Sequence, residues 1–336
     1  MPRKVTLKDI AREVGLSESA VSQVLNDRPC RLAEESKERI RRTAARLDYR
    51  VNQVARGLAI NRSNTIGLII PDIENPFFSS LAKHLEECCR ETGYGLFITN
   101  SGDDVQNECD QLRRLDARGV DGIVLVSGVA AASGDSAGAE GILRTLSCPY
   151  VMVDRIVPAA PCDKVLIDNQ AGAYLATSYL LDHGHSRIAC LVNTRHSSNG
   201  ADRLAGFEHA MTEAKLRPAA IVECDYHVED GYRAADQIPR GTTAVFSTSD
   251  LITAGLLKRL YERGQRVPDD LSVVSFDNNA AFILGGPGIT SVEQDTRELA
   301  RQSFGLLAER IDGCDGEPRE QIIEPRLVEK ASVARL

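Results

Sequence analysis

Beyond residue 63 one pattern governs the chain: a short run of Val, Ile and Leu, a stretch with helical spacing, then another apolar run. Thr65 to Asp72, Gly95 to Asn100, Gly122 to Ser127 and Pro149 to Asp154 form a first set of such runs. Lys164 to Asp168, Ile188 to Asn193, Ala220 to Asp225, Thr243 to Ser247 and Leu271 to Asp277 form a second. A strand that is apolar on both faces belongs to a parallel sheet covered by helices on each side, since a half-solvated strand would alternate. The expected fold class is therefore α/β, with two doubly wound parallel-sheet subdomains.

Ligands of open parallel sheets bind beyond the carboxyl ends of the strands. Here those ends repeatedly carry a side-chain oxygen: Asp72, Asn100, Ser127, Asp154, Asp168, Asn193, Asp225 and Asp277. Each such residue is more often a helix cap than a ligand contact. Taken together they suit a polar cleft for a neutral polyhydroxylated ligand, with Phe77, Phe78 and Tyr226 available to stack on its apolar face.

Charge divides the chain. Residues 1–62 hold 14 Lys and Arg against 8 Asp and Glu, while the remainder holds 26 against 40. A basic module on an acidic chain is the footprint of polyanion binding, because cations beside phosphates release condensed counterions. Within it, Leu7, Ile10, Ala11 and Val14 make one apolar stripe behind a capping Thr6, and Gly15 ends the helix. Ser17 caps a second helix carried by Val21, Val24 and Leu25, so the pair forms a helix-turn-helix. Glu18, Ser19, Ser22 and Gln23 fall on its outer face, where a major-groove reader presents its base contacts. A third helix, about Glu34 to Leu47, is expected to pack against the pair.

The string from Thr6 to Ser17, followed by Ala20-Val-Ser-Gln-Val-Leu-Asn26, resembles the headpiece of the lactose/galactose repressor family of bacterial transcription regulators. Tyr49 to Ala59 resembles the family's hinge, although Val51 stands where a proline is usual and Gly57 weakens a helix by about 1 kcal/mol. Ile66 to Phe78, Arg118 to Val124, Gly184 to Ala189, Arg203 to Phe207 and Val274 to Asn278 are similar to its effector core, itself like the periplasmic sugar-binding proteins.

The resemblance implies a headpiece at 1–49, a hinge at 50–62 and an effector-binding and dimerisation core at 63–336. Within that core it implies an N-subdomain of about 63–161 plus 293–323 and a C-subdomain of about 162–292 plus 324–336. DNA contacts would come from Thr6, Ser17, Glu18, Ser19, Ser22, Gln23 and Asn26, with Asn52, Ala55 and Leu58 in the hinge. Leu58 would be the minor-groove wedge. Effector contacts would be Asp72, Phe77, Phe78, Arg155, Ser197, Asn199, Arg203, Tyr226, Asp250 and Asp277. Ser197 replaces an arginine of purine-binding members, which favours a sugar or polyol. The implied partners are a near-palindromic operator, a second copy in a homodimer, and that effector.

Catalysis finds little support. No phosphate-binding Gly-Lys loop occurs, and Gly285 to Gly288 does not open a helix after a strand. No metal or cofactor is expected: His183 and His185 lack neighbouring ligands, and the nine cysteines are scattered without a C-x-x-C pair. No signal-like or membrane-spanning run is evident, so a cytoplasmic protein is expected. Gly128 to Gly141 reads as a loop. The rival readings are a solute-binding protein without DNA function and a sugar-converting enzyme.

Overall fold

The computed structural model describes residues 5–26, 29–49, 62–128, 136–193, 198–279 and 288–336. The chain divides into two compact units, Met1–Asn64 and Thr65–Leu336.

The first unit is built from three helices: α1 (Leu7–Val14), α2 (Glu18–Leu25) and α3 (Glu34–Arg46). The Asp9 carboxylate accepts hydrogen bonds from both the backbone N–H and the hydroxyl of Thr6, which fixes the start of α1. Gly15 ends it in a left-handed conformation, φ 67°, and two residues later Ser17 accepts the Ala20 N–H to cap α2. The two apolar stripes meet α3 in a small core of Ile10, Val14, Val21, Val24, Ile40 and Ala44. Arg39 donates to the Val14 carbonyl, and Arg46 pairs with Glu13, so α3 also ties down the end of α1.

The second unit holds two six-stranded sheets, ordered β11-β5-β4-β3-β1-β2 and β12-β10-β9-β8-β6-β7. The first comprises β1 (Thr65–Ile70), β2 (Gly95–Asn100), β3 (Gly122–Leu125), β4 (Tyr150–Val153), β5 (Asp163–Ile167) and β11 (Glu320–Ile323). The second comprises β6 (Ile188–Val192), β7 (Ala220–Glu223), β8 (Ala244–Ser247), β9 (Ser272–Asp277), β10 (Thr290–Glu293) and β12 (Arg326–Val328). Every pairing is parallel except β10 with β12. Helices α4 (Pro76–Glu91), α5 (Val105–Ala117), α6 (Ser136–Leu143) and α11 (Thr296–Ile311) serve the first sheet; α7 (Asn169–Asp182), α8 (Ser198–Glu213), α9 (Val228–Ala234) and α10 (Asp250–Glu262) serve the second. Each sheet has an apolar cluster on either face, which explains the unbroken Val/Ile/Leu runs.

Two expectations need correction. The run beginning at Lys164 does not open the second sheet: Val151, Met152 and Val153 of β4 pair with Asp163, Lys164 and Val165, so the crossing into the second sheet falls at Asp168. A subdomain boundary at 161–162 would cut off a strand whose Asp163 carboxylate is held by Arg310 of α11. The stretch expected as a loop from Gly128 to Gly141 includes the start of α6, in which Ala139 and Leu143 are buried against the first sheet.

Candidate functional site

Helix α2 exposes Glu18 and Ser19, while Ser22 and Gln23 are partly covered. Asn26 turns back to donate to the Ser22 carbonyl, closing the helix end. Around the start of α2 runs a shallow depression lined by Lys8, Arg12, Gly15, Leu16, Ser17 and Glu18. Two cations beside the exposed N–H groups of a helix N-terminus make a place for a phosphate. Lys8 and Arg12 escaped the sequence reading because they belong to α1, although their spacing of four on its polar face was the available signal. Thr6 is exposed at the start of α1. Asn52, Ala55 and Leu58 lie outside the described residues, as does Ser197.

In the larger unit a narrow cleft lies at the carboxyl ends of the two sheets. The first sheet and its helices contribute Asn75, Phe77, Phe78, Asp154 and Arg155; the second contributes Asn199, Arg203, Tyr226, Ser249 and Asp277. Gln294 reaches it from the segment that crosses between the sheets. Asn75 caps α4 by accepting the Phe77 N–H, which turns both phenylalanine rings inward at the helix start, edge to face 5.2 Å apart. Gly200 lets α8 begin against the end of β6, since any Cβ there would collide with the Asn193 carbonyl. That close approach carries Asn199 and Arg203 to the cleft.

Its electrostatics are closely balanced. Asp154 and Asp277 both sit in the left-handed region, φ 62° and 98°, and both are nearly fully buried. Asp154 accepts the Asn199 amide at 2.9 Å, a hydrogen bond joining the two subdomains. Burial raises its carboxyl to about 6, against the pull of Arg155 and Arg203. Arg155 donates to Asp103 at 2.8 Å, and its guanidinium lies 5.3 Å from the Phe78 ring and 5.5 Å from the Tyr226 ring. Arg203 donates to Asn169 at 2.8 Å and to the Thr248 carbonyl at 2.6 Å, stacks on Phe276, and faces Asp277 at 3.6 Å. Gln294 donates its amide to Asp277 at 2.5 Å. A carboxylate only accepts, so this fixes the Gln294 amide orientation and leaves its buried Oε1 without a hydrogen-bond partner among the described residues.

Seven of the expected effector residues thus line one cleft: Phe77, Phe78, Arg155, Asn199, Arg203, Tyr226 and Asp277. Two do not. Asp72 is spent on the turn after β1, where its Oδ1 accepts the Glu74 N–H. Asp250 is buried behind Asp277, and its neighbour Ser249 takes the place at the wall. Among the other strand ends, Asp168 caps α7, Asn100 accepts the Ile73 N–H, and Ser127 bonds Glu108. Asn75, Ser249 and Gln294 were missed; the first two look like ordinary helix caps in sequence. His183 closes α7 and His185 bridges Thr243 and Ala334; no cluster of metal-ligating side chains occurs among the described residues.

Residues 6–52 match the model of the lacI family of bacterial regulatory proteins, and residues 177–333 match that of a periplasmic binding protein-like domain. The HTH-type transcriptional repressor PurR of Vibrio atlanticus is 34% identical over 336 residues, covering 98% of this chain and 99% of that protein. A lac repressor dimer, solved with operator and the anti-inducer ONPF, is alike in fold: TM-score 0.87, 24% identity, 99% of this chain and 100% of that one. A lacI-family regulator from Enterococcus faecium, solved with bound ribose, gives a TM-score of 0.72 at 28% identity over 81% of this chain and 99% of that one. With a helix-turn-helix unit at its start and a two-sheet effector core after it, the chain belongs to the lacI family of bacterial regulatory proteins and is a DNA-binding transcriptional repressor.

Proposed function

We propose that this repressor is controlled by a neutral monosaccharide or related polyol bound between the two sheets of its core. The observation that carries the reading is the seat of Arg155. Its guanidinium lies 5.3 Å from the Phe78 ring and 5.5 Å from the Tyr226 ring, which takes up ring face that a flat base needs more of than a sugar's narrow apolar face does. What remains is a wall of paired donors and acceptors, Asp154 with Asn199 and Arg203 with Asp277, suited to the alternating O–H groups of a sugar. Because each arginine already faces a carboxylate, the wall offers little uncompensated charge to a phosphorylated ligand. The ribose bound by the Enterococcus faecium regulator agrees with this chemistry. The relative named PurR makes a purine base the competing reading.

Glu18, Ser19 and Gln23 are the proposed base readers, with Lys8 and Arg12 holding phosphate beside them. Two copies of the chain would place two headpieces on the half-sites of a near-palindromic operator. A dimer is supported by the free edge of the first sheet, where Phe97 and Ile98 of β2 are 47% and 45% exposed. Among the described residues no helix is long and apolar enough to cross a membrane, in keeping with a cytoplasmic regulator.

Calorimetry with a panel of aldopentoses, aldohexoses and purine bases tests the ligand class. A pentose or hexose is expected to bind, with affinity lost in Arg203→Ala and Asp277→Asn. Binding of a purine base alone would overturn the sugar reading.

A further inference from the structure

Asp250 contributes nothing to the cleft wall, yet its surroundings tie it to the wall more closely than any other hidden residue. Its backbone N–H donates to Asp277 Oδ2 at 3.3 Å. Its own Oδ1 accepts from Ser275 Oγ at 2.9 Å, and Ser275 Oγ lies 2.7 Å from Thr253 Oγ1. Its Oδ2 accepts the Asn279 N–H at 2.7 Å, while the Asn279 amide returns to the Asp277 carbonyl at 3.0 Å. Asp250 therefore clamps the turn that follows β9, the turn in which Asp277 and Asn278 both hold positive φ.

The charges are crowded. Asp154, Asp250 and Asp277 are all at least 94% buried, and only Arg155 and Arg203 among the cleft's side chains oppose them, with Arg155 also paired to Asp103. Lys330 adds a further cation from the segment that follows β12. The segment 280–287, which follows Asn279, carries no ionisable side chain. Asp277 keeps Arg203 and Gln294 as partners of its charge, whereas Asp250 has hydroxyl and amide partners only. Ser275 Oγ can accept as well as donate, so when Asp250 is protonated it can accept a hydrogen bond from the Asp250 O–H.

We propose that Asp250 is a positioning residue for Asp277: its hydrogen bonds hold the turn that presents Asp277 to the ligand, and its carboxyl keeps a proton among the crowded carboxylates. Burial and the neighbouring Asp277 raise the Asp250 carboxyl to about 7, in the same sense. As pH rises through that value the second charge appears beside Asp277, and the turn that presents it is strained. The inference rests on the sugar reading of the cleft for its ligand, but not for its proton.

The test uses the full chain and two readouts. Without ligand, carboxyl-13C aspartate labelling should show, besides Asp154 near pH 6, a second aspartate titrating near 7, and that second signal alone should vanish in Asp250→Asn. The Asn side chain can still accept from Asn279 through its oxygen and donate to Ser275 through its nitrogen, so this variant keeps both contacts. With D-ribose as probe, affinity is expected to fall several-fold as pH rises from 6.5 to 8, in Asp154→Asn as well as in wild type, as it must where the Asp250 proton is needed. Asp250→Asn should flatten that profile, and Asp250→Ala, which loses the clamp on Asn279, should bind more weakly at every pH. A titration unchanged by Asp250→Asn, or an equal pH slope in wild type and variant, overturns the proposal. Should D-ribose fail to bind at any pH, the sugar reading falls, and the ligand-free titration alone decides the proton assignment.

Discussion

Asp154 is a residue whose local comfort and whose role oppose each other. Its carboxyl, ordinarily near 3.8, is raised to about 6 by burial, so folding favours its neutral form. The stability linked to that shift is fully present below about pH 4 and is lost as pH rises through 6. Asp154→Asn, which cannot ionise, is expected to melt several degrees above wild type at pH 7.5, reflecting up to about 3 kcal/mol, with the gap closing below pH 4. It should also hold the effector more weakly. A variant that melts lower at pH 7.5 would show that the Arg155 and Arg203 attractions outweigh burial. At the headpiece, Glu18→Ala, Ser19→Ala and Gln23→Ala should each alter the motif recovered by binding-site selection, since a bidentate base contact discriminates by about 1 to 3 kcal/mol. Recovery of one unchanged motif from all three would remove them as readers. Arg155, Arg203 and Asp277 were named through the family resemblance, and all three line the cleft. The resemblance failed at Asp250 and Ser249, because both follow β8 at the start of α10 and only the packing decides which one faces the cleft.

At the scale of elements, the alternation of apolar runs and helical spacing predicted β1 to β9 but not β10, β11 or β12, and not always the right sheet. The Lys164 run was assigned to the second set, yet β5 lies beside β4 and β11, a neighbourhood that depends on a strand far along the chain, with Lys164 opposite Glu320, and on the Arg310 pair with Asp163. Strands β11 and β12 are short and half exposed, so their apolar signal is weak. Strand β2 differs from the other early strands in burying little, and its Phe97 is covered only on one face by the Arg118 guanidinium 5.5 Å away. If this edge meets a second copy, Phe97→Glu should shift the chain from dimer to monomer in sedimentation velocity and weaken operator binding, while effector affinity in the folded monomer persists. A variant that remains dimeric would place the interface elsewhere.

For the whole molecule, the account joins a DNA-reading unit to a ligand cleft through a coupling free energy. Couplings of this kind are typically 1 to 3 kcal/mol, and a ligand shifts operator affinity only by its differential affinity for the two states of the protein. The charge division of the chain pointed to a polyanion and the helix-turn-helix pattern chose DNA; the strand-end oxygens together suggested a polar cleft, but which of them face it needed the structure, because caps and ligand contacts share the same residue types. The most direct measurement is an anisotropy titration of the operator recovered by binding-site selection, at fixed salt because phosphate contacts make every affinity salt-dependent. It is run with and without a saturating sugar from the calorimetric panel. The account predicts that the sugar changes operator affinity about tenfold or more in wild type and leaves Asp277→Asn unmoved. A shift produced by purine bases and by no sugar, or equal affinity for the selected operator and random DNA, would contradict it.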